Sequence, residues 1–96
     1  MKATAFFLVL AGALAAGPVW AQSGKEVLEA KGCLNCHAMD NAKIGPAFKD
    51  VATKYKGKPG AEGELVVKLM EGKSHPKPNA SEDEIRQAVR QVLGAN

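Results

Sequence analysis

The sequence predicts a small all-α domain of about four short helices, and three observations carry that reading. Apolar residues recur at helical spacing in successive windows, each opened by a capping residue or closed by a glycine. No window alternates polar and apolar residues as a half-buried strand does. The chain has 96 residues, 46% of them hydrophobic and 24% charged, which gives one domain and no room for a multilayered nucleotide-binding enzyme.

The N-terminal stretch stands apart from that domain. A charged start at Met1-Lys2 precedes the apolar run AFFLVLAGALAA at 5–16, and Gly17-Pro18 breaks it. Val19-Trp20-Ala21 then has the small-x-small form of a cleavage site. The expectation is a secretory signal peptide over 1–21, cleaved after Ala21, leaving a domain over 22–96. The run is shorter than the ~20 apolar residues a bilayer span needs, so the mature chain is expected to lack a membrane span, with an uncleaved anchor as the alternative. After cleavage Phe48 is the one Phe, Tyr55 the one Tyr, and no Trp remains. Cores of domains below ~80 residues rarely supply more than ~5 kcal/mol, so a disulfide, a metal or a buried cofactor is expected to help.

The helices follow in order. Ser23 and Glu26 have capping-box spacing before Val27, Leu28 and Ala30, and Gly32 ends that segment. Pro46 suits the first position of a second helix, whose stripe is Phe48, Val51, Ala52 and Tyr55, stopped by Gly57. Lys58-Pro59-Gly60 is a turn, and the third helix spans Glu62 to Glu71 with Leu65, Val66, Leu69 and Met70 inward. Gly72 closes it, and the proline-broken KSHPKPNA at 73–80 is a loop. Ser81 and Glu84 form a second capping box, before the stripe Ile85, Ala88, Val89 and Val92 and the stop at Gly94.

Between the first two helices lies an irregular stretch, Cys33 to Gly45, which opens with Cys33-Leu34-Asn35-Cys36-His37. C-x-x-C-H is the spacing of a c-type haem attachment site. Two thiols three positions apart can each form a thioether to one porphyrin, and the adjacent imidazole reaches the iron. Three other readings remain open at this point. A redox dithiol needs a strand-helix-strand context that the pattern lacks. A disulfide suits an exported protein but leaves His37 unexplained. A zinc site would recruit Cys33, Cys36 and His75. The net charge of +3, without a basic run interleaved with aromatics, argues against a nucleic-acid partner.

CLNCHAMD, IGPAFKDVATKYKG and the capped helix beginning PNASEDEI together resemble the class I c-type cytochromes, close to their small monohaem periplasmic members in bacteria. The resemblance covers essentially all of 22–96. It implies a cytochrome c-like fold wrapped around one covalent haem c, with Cys33 and Cys36 as thioether anchors and His37 as the proximal iron ligand. It also implies that the Pro46 carbonyl accepts a hydrogen bond from Nδ1–H of His37, which makes the ligating nitrogen more basic. The implied function is one-electron transfer between redox partner proteins in the periplasm, with no enzymatic bond chemistry. Lysines spread through the chain suit partners with acidic docking patches.

The sequence departs from that family at the sixth ligand, which is usually a Met in the loop before the last helix. No Met lies there; His75 does. His75 is therefore the expected distal ligand. Met70, which reads as core, Lys73, Lys77 and water are the alternatives. A shortened loop without Met also keeps a second function open, a haem with a free distal face that binds or senses a small gaseous ligand. Relatives commonly carry an aromatic in the last helix; here Arg90 and Gln91 fill that zone. Contact between first and last helices is then expected to rest on Val27, Ala30, Val89 and Leu93.

Overall fold

The structure is a computed structural model and describes residues 23–95. The expected leader, 1–21, lies outside the described residues. Four α-helices are present among the described residues: α1 (Gly24–Ala30), α2 (Phe48–Tyr55), α3 (Ala61–Glu71) and α4 (Glu82–Leu93). No strand occurs among these residues; a single bridge joins His37 and Ala42.

The caps explain where the helices begin and end. Ser23 Oγ accepts from the Glu26 N–H to start α1. At α4 both halves of the capping box form, Glu84 N–H to Ser81 Oγ at 3.2 Å and Ser81 N–H to the Glu84 carboxylate at 2.9 Å. The Ser81 N–H, and then Lys31 at 3.4 Å, hold the Glu84 carboxyl below the usual carboxylate range. Gly72 ends α3 in the left-handed conformation at φ 68°, with its N–H on Leu69 O and the Lys73 N–H on Lys68 O, a Schellman ending. Pro46 lies outside α2: Ala47 is the N-cap, so Pro46 sets up the turn before the helix.

α4 is the partner of the other three α-helices. Val27 and Leu28 of α1 and Phe48 of α2 meet Ala88 in one buried cluster. Val66 of α3 meets Ile85 and Val89 in a second, with Leu65, Leu69, Met70 and Leu93 packed around it. Three of the four residues expected at the α1–α4 contact are thereby corrected. Ala30 is exposed, and Val89 and Leu93 serve α3. The close approach of α1 to α4 is at Gly24, where a Cβ would stand 2.4 Å from the Gln87 carbonyl oxygen and 2.6 Å from Gln91 Cβ. α1 and α4 thus cross closely without an aromatic, and Arg90 pairs with Glu62 of α3.

Candidate functional site

The segment after α1 is less irregular than its sequence suggests. Gly32, at φ 80°, turns the chain into a one-turn 3₁₀ helix over Cys33–Asn35. Cys36 N–H donates to Cys33 O at 3.3 Å and His37 N–H to the same oxygen at 3.1 Å. Residues three apart eclipse in such a turn, which puts Cys33 and Cys36 on one side. Both are half-buried free thiols, and burial pushes the Cys33 thiol up. No disulfide joins them, against that reading of the pair.

The rest of the segment is a strap around His37. The Gly45 N–H returns to Cys36 O at 2.7 Å, and Lys43 Nζ donates to Leu34 O at 3.2 Å. The first N–H groups of α2 close the far side, Phe48 to Ala38 O at 2.9 Å and Lys49 to Met39 O at 3.1 Å. Inside the strap three contacts set the His37 ring. Its Nδ1–H donates to Pro46 O at 2.6 Å. A carbonyl can only accept, so Nδ1 carries the proton and the Nε2 lone pair is left for a metal. Phe48 packs alongside, ring centroids 5.0 Å apart. Gly45 lies so close that a Cβ would stand 2.4 Å from His37 Cε1.

His75 comes to the same place from the α3–α4 loop. Its ring is parallel to that of His37 within 8°, with centroids 6.0 Å apart. Its Nδ1–H donates to Pro76 O at 2.7 Å, so this imidazole also keeps Nε2 free. The spacing suits a metal between them. Two metal–nitrogen bonds of ~2 Å, with ~1 Å from each nitrogen to its ring centre, span about 6 Å. The other distal candidates are disposed differently. Met70 packs in the α3–α4 cluster and Met39 is exposed, as are Lys73 and Lys77. Among the described residues no three His, Cys, Asp or Glu side chains converge on a common point, against a zinc site of Cys33, Cys36 and His75. Sequence reasoning missed Gly45; it read Phe48 correctly as core but did not see that the same ring also backs His37. The Gly-Pro pair beside a haem motif was the available signal.

No family model matches the chain. Cytochrome c-551 of Pseudomonas aeruginosa is 40% identical, with 97% of each chain covered. Cytochrome c-552 of Hydrogenobacter thermophilus is 33% identical over 91% of this chain and 94% of its own. The chain belongs to the class I c-type cytochromes. The fold of this cytochrome agrees: the crystal structure of Nitrosomonas europaea cytochrome c552 superposes with a TM-score of 0.69 at 26% identity, over 75% of this chain and 99% of that one. The class 1 cytochrome MtoD of Sideroxydans lithotrophicus superposes at 0.65, with 28% identity. The cytochromes of this family are small electron carriers with one covalent haem c per chain, and the cytochrome described here carries that cofactor. Its residues fit the group: two thiols on one side of a turn, and an imidazole with a free Nε2 beside them.

Proposed function

We propose that this cytochrome is a periplasmic one-electron carrier whose haem is anchored by Cys33 and Cys36 and whose iron is ligated by His37 and His75. Residues 1–21 are its cleaved export signal. The parallel rings 6.0 Å apart, each with Nδ1 committed to a proline carbonyl, carry the ligand assignment. When bound, haem supplies the ferric/ferrous couple. The chain's residues fix the conditions for it. Pro46 O holds the His37 tautomer and raises the basicity of Nε2; Pro76 O does the same for His75. A second imidazole in place of a thioether sulfur sets a lower potential than in Met-ligated members of the family. The strap presents Leu34, Met39 and Ile44 to solvent, Ile44 at 86%, next to Lys43. An apolar spot beside a lysine suits brief docking of a redox partner with acidic groups. No helix among the described residues is long and apolar enough to cross a membrane. The ring of His75, 6.0 Å from that of His37, favours this reading over a gas-binding haem with a free distal face.

The test is the spectrum of the purified holoprotein. Ferric protein should be low-spin and lack the weak far-red sulfur-to-iron band, and His75→Met should create that band and raise the potential. An unchanged ferric spectrum and potential in His75→Ala would sink the assignment. Haem extractable into acid acetone would sink the covalent attachment.

A further inference from the structure

One residue of the distal loop sits in a backbone conformation its side chain disfavours. Among the described residues Ser74 is the single non-glycine with positive φ, at 58°. In the left-handed region Cβ crowds the following carbonyl oxygen; Gly, Asn and Asp tolerate this and Ser much less. Such outliers persist only where the surroundings hold them in place, and they concentrate where a side chain must be aimed. Ser74 directly precedes His75.

The surroundings are visible. α3 ends on Gly72 in the left-handed region, and the chain then curls back so tightly that a Cβ on Gly72 would stand 3.2 Å from Lys77 Cβ. Two left-handed residues flanking Lys73 reverse the direction of α3 within three positions. Pro76 and Pro78 then fix φ on the far side of His75. The imidazole emerges between these two rigid pieces, with Nδ1 on Pro76 O at 2.7 Å and its plane within 8° of that of His37.

We propose that Ser74 is the positioning residue of the distal imidazole: its left-handed backbone turns His75 so that the two imidazole planes lie parallel across the iron. This rests on the assignment of His75 as ligand. Serine meets a local preference that opposes it, so the turn is held by its neighbours, and substitution at 74 acts on the ligand through the backbone. The orientation has an electronic consequence. Parallel imidazoles split the iron d orbitals rhombically, whereas perpendicular ones leave them nearly degenerate.

The experiment is low-temperature electron paramagnetic resonance of the ferric holoprotein, with Ser74→Gly, Ser74→Asn and Ser74→Val. The unsubstituted protein should show a rhombic low-spin signal with three resolved g values. Gly and Asn, which accept positive φ, should keep it. Valine, for which positive φ is a severe outlier, should reduce that signal roughly tenfold in favour of high-spin or strongly anisotropic low-spin forms. Excess free imidazole should return the high-spin fraction to low spin, which shows that only the native ligand was mispositioned. A wild-type signal in Ser74→Val overturns the proposal, as does loss of the signal in both Gly and Asn. If Ser74→Val does not yield folded holoprotein, Ser74→Thr repeats the test with the hydroxyl retained, and a wild-type signal there overturns it. His75→Ala separates the two readings. An unchanged signal in that variant removes the ligand assignment itself, while a changed one beside an unaffected Ser74→Val removes only the role of Ser74.

Discussion

Replacing glycine with alanine should have opposite effects at two helical positions of this cytochrome, Gly24 in α1 and Gly63 in α3. On propensity alone such a substitution stabilises a helix by about 0.5–1 kcal/mol, and by less at Gly24, the first residue of α1. At Gly63 nothing lies within 4 Å of the new methyl, so that gain should appear in full. At Gly24 the methyl would stand 2.4 Å from the Gln87 carbonyl oxygen, part of the α4 backbone, and 2.6 Å from Gln91 Cβ. Ordinary contact begins near 3.4 Å, so α1 must withdraw by about 1 Å. Withdrawal loosens Val27 and Leu28 from Phe48 and Ala88. Overpacking of this kind costs about 1–3 kcal/mol, which after the small propensity gain leaves a net loss of about 0.5–2.5 kcal/mol. In a domain of this size each kcal/mol moves Tm by about 4–8 °C, so Gly24→Ala should melt roughly 2–20 °C lower. Gly63→Ala should melt a few degrees higher. Thermal and guanidinium unfolding of the holoproteins, followed by far-ultraviolet circular dichroism, measures both. A Gly24→Ala protein as stable as wild type would refute the tight crossing of α1 on α4.

Gly45→Ala should disturb His37 rather than the helices, because its methyl would meet the ring at 2.4 Å. The ring must swing, the 2.6 Å bond to Pro46 lengthens, and the ferric absorption and potential should shift while helix content stays near wild type. Ser81→Ala removes the N-cap of α4 and should cost about 1 kcal/mol in chemical denaturation. Glu84 titrates lower in the folded chain than in the unfolded one, so its contribution is present at neutral pH and is lost as pH falls through that lowered value. The difference in Tm between wild type and Glu84→Gln should therefore shrink below the ordinary carboxylate range, and a difference constant with pH would remove that role.

Features that depend on neighbours in the chain were legible in the sequence. The Ser81–Glu84 box needs only three-residue spacing, and the stripes of α2, α3 and α4 need only a period of 3.6. C-x-x-C-H is equally local, and the Pro46–His37 bond spans nine residues. What stayed hidden depends on distant partners. The tightness at Gly24 is set by Gln87 and Gln91, more than sixty positions away, and no pattern in α1 reports it. Ala30 looked like a core residue because its spacing fits, yet it is exposed at the end of α1. In the site, the motif identified the chemistry, but Gly45 and Ser74 matter through backbone geometry. Serine carries no signature of a left-handed turn, so only coordinates reveal that one.

The order of packing has a consequence for how such a chain is made. The three earlier α-helices each lean on α4, the last to leave the ribosome. Until residues 82–93 appear, Val27, Leu28, Phe48 and Val66 lack the surface that buries them. The nascent polypeptide is therefore held open by its own topology, with long-range contacts postponed until α4 has been made. A chain that stays open in this way suits the proposed export, and its two thiols stay accessible for attachment of the porphyrin. Closure by α4 would then follow attachment. A circular permutant that begins with 82–95 would reverse the order, collapsing early and losing yield at the export and attachment steps while keeping the same final contacts.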